Sequence, residues 1–137
     1  MIRGPDAFLY LCVAAGSGIG SVARHAVAVL LPPAATGGWP LATFAVNVGG
    51  SCLLGFFAAM TGPDGPWLVR PALRQGVMIG FCGGLTTFSA FSLEGVLLLH
   101  VHEVLETCGY VLLSLTGWLA AAWLGHAAAF RLIRPGD

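Results

Sequence analysis

The chain has 137 residues, 57% of them hydrophobic and 9% charged, with no net charge and a mean hydropathy of +0.86. Soluble domains carry roughly 25% charged residues, so this composition excludes an ordinary soluble enzyme and predicts an all-α membrane protein with room for a few spans and no extramembrane domain. All six basic residues are Arg and they form no run, which excludes a nucleic-acid partner.

The first apolar segment runs from Ala7 to Leu31 and ends at the Pro32–Pro33 breaker. It is too long for a signal peptide, and Arg24–His25 sit late within it. The second, Trp39 to Met60, lies between Gly37–Gly38 and the turn-forming stretch Thr61–Pro66. The third, Arg70 to Val101, would overshoot a hydrocarbon core about 30 Å thick as one straight helix at ~1.5 Å per residue. The fourth runs from Val104 to Arg131. Tyr10, Trp39 and Trp67 fall near segment ends, where amphipathic rings favour the interface.

The centre of the third segment, GFCGGLTTFSAFSLE from Gly80 to Glu94, sets Gly83 and Gly84 against Thr86 and Thr87. A lipid-facing helix has no use for that composition. Irregular backbone at membrane depth is tolerated where protein or a water-filled path satisfies it, so a break is expected near residues 82–87, at a binding or conduction site. Small residues also recur at four-residue spacing: Gly16 and Gly20, Ser51 and Gly55, then Gly76, Gly80 and Gly84. These let helix backbones approach closely and, with only four short spans, predict oligomerisation.

Polar residues inside spans are costly and therefore informative. Asn47 lies midway along the second segment, where its amide can either ligate an anion or bond a neighbouring helix. Arg24 must snorkel or pair inside the bundle; Glu94 offers a partner for it, or accepts helix hydrogen bonds, or touches a transported species. Phe88 and Phe91 share a helix face, either as packing rings or as positive ring edges turned to an anion. Tyr110 and Ser114, four apart, place two hydroxyls on one face of the fourth segment, although such hydroxyls also bond backwards to helix carbonyls. Cys12, Cys52, Cys82 and Cys108 fall one per segment without CxxC spacing and read as small apolar residues. His100 and His102 are two apart and share no face, and no supporting pattern makes His25 and His126 haem ligands. No Ser–His–Asp, HExxH or phosphate-loop pattern occurs, so an enzyme is not expected.

The segment GFCGGLTTFSAFSLE resembles the signature of the Fluc (CrcB) fluoride channels; FAVNVGGSCLLGFF resembles their second-helix motif, and GSGIGSVARH their Gly-rich first helix with its Arg. The resemblance covers nearly the whole chain in order. It implies an antiparallel dimer of four-helix subunits in the inner (plasma) membrane, with two fluoride pores that passively export fluoride and confer fluoride resistance. The third helix would break at the dimer centre around one structural, untransported Na+, held by the backbone carbonyls of Gly83 and Thr86. Asn47 would be the pore amide, Phe88 and Phe91 the pore rings, and Tyr110 and Ser114 the fourth-helix polar track, with Arg24, Thr87 and Glu94 as structural polar residues. That track normally continues, but one turn beyond Ser114 this chain has Trp118, which leaves the far end of the path without an expected donor.

One feature departs from dual topology. Arg3, Arg70, Arg74, Arg131 and Arg134 fall on the side shared by both ends and the second loop, against no Arg in the opposite loops. Five against zero favours one fixed orientation with that side cytoplasmic, and hence pairing with an oppositely oriented homologue rather than only with itself. Two other classes compete. A small four-helix cation or drug exporter needs a membrane carboxylate, and the first segment has none, Asp6 preceding it. A non-conducting structural subunit explains the small-residue packing but not the Gly-Gly/Thr-Thr break.

Overall fold

The computed structural model describes residues 4–32, 39–100 and 104–133, with side chains from residue 7. Arg3, Arg134, His102, Glu103, Gly37–Gly38 and the expected third-segment end at Val101 lie outside the described residues. Among those described, every regular element is helical: Gly4–Leu30, Leu41–Met60, a third span in pieces, and Val104–Ile133. Four stretches are long and apolar enough to cross a membrane, Ala7–Leu30, Leu41–Met60, Pro71–His100 and Val104–Ile133. The expected boundaries lie within three residues of the ends of these stretches.

The third span begins at Pro71, where proline's fixed φ suits the first turn and its missing N–H costs nothing. After Pro71–Gln75 the backbone widens into a π-helix over Gly76–Cys82, returns to α over Gly83–Leu85, and breaks at Thr86, whose ψ of 158° is extended. The helix restarts at Phe88 and runs to His100. The break was expected from the sequence; the π-helical stretch was not.

Two tight helix pairs build the bundle. The second and fourth helices form the most extensive contact, and the first packs along the N-terminal half of the third span. Glycine sets both distances: a Cβ on Gly55 would overlap the Ala122 carbonyl oxygen, and one on Gly125 the Cys52 carbonyl oxygen. A Cβ on Gly16 would likewise overlap the Gly76 carbonyl, and one on Gly20 that of Phe81. Backbone approach of this kind replaces the hydrophobic drive that lipid cannot supply.

Beyond the break the third span changes partner. Its C-terminal half, Phe88–His100, leaves the first helix and packs against the fourth. The space opened between the end of the first helix, the start of the second and this half-helix is a cavity of about 610 Å³. The bundle is thin: over an apolar 18-residue stretch of each span, 6% of the first and 22% of each of the others is buried inside it, so most of its surface must meet lipid or another subunit.

Candidate functional site at the helix break

Asn47 holds the break. Its Nδ2 donates to the Thr87 carbonyl at 2.9 Å, and its Oδ1 accepts the Thr87 N–H at 2.7 Å, both buried. A side-chain amide thus supplies the donor and acceptor that an interrupted helix loses. The Thr87 hydroxyl in turn accepts the Ala90 N–H at 3.2 Å and caps the restarted helix. Both diversions bear on the expected carbonyl pair. In a continuous helix the N–H of Thr87 would bond the Gly83 carbonyl and that of Ala90 the Thr86 carbonyl; these two donors go to Asn47 and to the Thr87 hydroxyl instead. Gly83 is exposed, and a Cβ there would meet nothing within 4 Å. The Thr86 hydroxyl donates back to the Cys82 carbonyl at 2.9 Å.

A second group forms around Glu94. Its two carboxylate oxygens accept hydrogen bonds from Thr43 Oγ1 and Tyr110 Oη, each at 2.7 Å. Glu94 is bonded not to Arg24 but to hydroxyls of two other helices, and so ties together the second, third and fourth spans. Arg24 lines the 610 Å³ cavity together with Glu94, Thr43 and Thr87. Thr43 was missed in the sequence, although it stands one turn before Asn47 on the same face, which is the signal that could have found it.

Aromatic rings connect the two groups. Phe91 is 6% exposed and its ring centroid lies 5.2 Å from Tyr110, 5.5 Å from Phe88 and 4.8 Å from Trp118, the last edge-on at 74°. The two phenylalanines expected to act alike do not occupy like positions, since Phe88 is 69% exposed on the outside of the chain. Ser114 is fully buried one turn beyond Tyr110; its Oγ lies near the Tyr110 hydroxyl but has no hydrogen-bonding partner. The Trp118 Nε1 is also buried without a partner. Trp118 lines a second cavity of about 290 Å³ with Asn47, Ser51, Cys82, Thr86 and Phe88. The four cysteines are unpaired, and among the described residues His25 and His126 join no group of three or more His, Cys, Asp and Glu able to hold a metal.

Two cavities, a cluster of aromatic rings and a set of buried hydroxyl, amide and indole groups around a broken membrane helix define a multi-pass membrane protein with an internal polar site. Residues 11–126 match the family described as CrcB-like protein, Camphor Resistance (CrcB). The chain belongs to the CrcB family. It is 48% identical over 133 residues to "Fluoride-specific ion channel FluC 1" of Bradyrhizobium diazoefficiens, covering 96% of this chain and 92% of that protein. It is 47% identical to "Fluoride-specific ion channel FluC 1" of Rhodopseudomonas palustris, covering 93% and 91%. Similarity to "Fluoride-specific ion channel FluC" of Rhodospirillum rubrum is 41%, covering 93% and 98%.

Proposed function

We propose that this chain is the subunit of a fluoride-selective channel in the inner (plasma) membrane that passively releases fluoride from the cytoplasm. The observation that carries this reading is the set of buried groups at and beyond the break, Asn47 bonded to Thr87, the Phe91 ring beside Tyr110 and the unpartnered Ser114 hydroxyl, in a chain 48% identical to a relative named as a fluoride-specific channel. Fluoride is small and strongly hydrated, so a selective path must replace its water with convergent donors. Hydroxyl and amide groups do this, and ring edges add weak positive potential without trapping the ion. Arg24 and Glu94 both line the 610 Å³ cavity, so its formal charges balance and Arg24 raises the potential only locally, beside the first helix. Hydrogen fluoride enters as the neutral acid and dissociates in the cytoplasm; membrane potential then drives the anion out without a pump. Fluoride efflux from proteoliposomes tests the reading: wild-type flux should exceed that of Phe88→Ile and Asn47→Asp by at least about tenfold, and undiminished flux in both variants would refute the pore assignment.

The proposal includes a second subunit in antiparallel orientation and one structural Na+. The thin bundle and the exposed Phe88 favour a partner. The diverted N–H groups of Thr87 and Ala90 favour a cation on the Gly83 and Thr86 carbonyls, hard oxygen ligands turned out of their helical bonds. Two carbonyls from each of two copies would give four oxygens around the ion, which would join the subunits and is not itself transported. The Arg distribution favours a partner that is an oppositely oriented homologue. Reporter fusions at the C-terminus, with the chain expressed alone, should report only the cytoplasm; equal signals from both sides would refute fixed orientation.

A further inference from the structure

We infer that the indole N–H of Trp118 is an anion donor, hydrogen-bonding fluoride on the face of the fourth helix that it shares with the unpartnered Ser114 hydroxyl; this rests on the channel reading above. Tyr110, Ser114 and Trp118 stand at i, i+4 and i+8 of one uninterrupted helix, so they share a face over roughly 12 Å of rise. The three groups differ in how far they are committed. The Tyr110 hydroxyl already donates to Glu94. The Ser114 hydroxyl is without a partner but can accept as well as donate. The Trp118 N–H is a donor only, and it is buried with no acceptor. None of the polar side chains lining the neighbouring cavity, Asn47, Ser51, Thr86 and Thr87, is bonded to it, and Asn47 Oδ1 already receives the Thr87 N–H.

Burying an indole N–H unpaired is costly, and buried Trp normally finds a partner for it. Here the ring lies edge-on against Phe91 at 4.8 Å, so packing holds the donor in place while nothing among the described residues uses it. A permanently available donor that cannot act as an acceptor favours the ion with the strongest hydrogen-bond basicity over chloride. Trp118 therefore supplies the donor missing from the far end of the path.

The test is the indole ¹H–¹⁵N resonance of Trp118 in the assembled wild-type protein, assigned by its loss in Trp118→Phe and followed while fluoride or chloride is added at constant ionic strength. Fluoride should shift this resonance and chloride should not, while Trp123, 67% exposed, stays unmoved. Trp118→Phe keeps an aromatic ring beside Phe91 and removes the N–H together with part of the indole; its apparent fluoride affinity in efflux should fall at least about tenfold, the loss of one hydrogen bond to an ion. An indole resonance that ignores fluoride across the range in which wild-type flux saturates, or that follows chloride equally, overturns the assignment and leaves the channel reading standing. So does full fluoride affinity in Trp118→Phe. A wild-type protein that passes no fluoride, alone or co-expressed with an oppositely oriented homologue, overturns the channel reading and this assignment with it.

Discussion

Replacing Asn47 by Ala removes both anchors of the helix break in one step. The Thr87 N–H and carbonyl lose their partners at 2.7 and 2.9 Å, and both lie in a buried site that cannot offer bulk water. A buried polar group left unsatisfied costs about 1–3 kcal/mol, so two of them sum to about 2–6 kcal/mol. The side chain itself is 4% exposed, and the void it leaves adds to that cost. For a chain of this size the loss corresponds to a melting temperature lower on the order of 10 °C, measurable by thermal unfolding in detergent. Asn47→Asp separates the two anchors. Ionised, it keeps an acceptor for the Thr87 N–H but sets an oxygen against the Thr87 carbonyl, and should lose at least about 1–3 kcal/mol, the cost of one unsatisfied group. Protonated, its O–H donates to that carbonyl and keeps both anchors. An Asn47→Ala protein that melts within a degree or two of wild type would refute the reasoning, because the clamp would then hold nothing.

Three further outcomes follow from the same contacts. Gly125→Val should destabilise the pair of second and fourth helices by at least about 1–3 kcal/mol, because the new side chain meets the Cys52 backbone rather than a side chain that can rotate away; unchanged thermal stability would count against the close approach. Gly18→Val is the matched control, since a Cβ there meets nothing within 4 Å, and it should leave stability within ~0.5 kcal/mol. Replacing Na+ by a large organic cation should loosen subunit association in size-exclusion chromatography, and identical profiles in the two buffers would remove the cation from the proposal.

The four spans were legible because hydropathy and length suffice to find them. The break was legible for a different reason: Gly83–Gly84 followed by Thr86–Thr87 is a local signal of backbone that will not continue as a helix. What the sequence did not reveal depends on partners far along the chain. Asn47 meets Thr87 across 40 residues and Thr43 meets Glu94 across 51, and no local pattern encodes those distances. The π-helix over Gly76–Cys82 was hidden for a related reason, since hydropathy does not distinguish i+5 from i+4 bonding. Its glycines Gly76 and Gly80 lie against backbone of the first helix, at Cys12 and Val13, so that contact, rather than propensity, is what the local backbone must accommodate. Trp118 was visible as a residue in an unexpected place; only its burial and missing acceptor make it a candidate donor.

The break joins the two proposed ion sites through one set of hydrogen bonds. Because the Thr87 N–H bonds Asn47 and the Ala90 N–H bonds the Thr87 hydroxyl, the carbonyls of Gly83 and Thr86 lose the helical donors that would otherwise neutralise them. The same kink turns the chain away from the first helix and carries Phe88 and Phe91 towards the fourth, where Phe91 meets Tyr110 and Trp118. A continuous helix would satisfy its own carbonyls and keep this half of the span against the first helix. The proposed carbonyl-lined cation site and donor-lined anion path would therefore depend on the same interruption, which Asn47 holds. A substitution that restores helical bonding across Thr86–Thr87 must abolish cation binding and anion passage together, whereas removing the Trp118 N–H acts on the anion path alone.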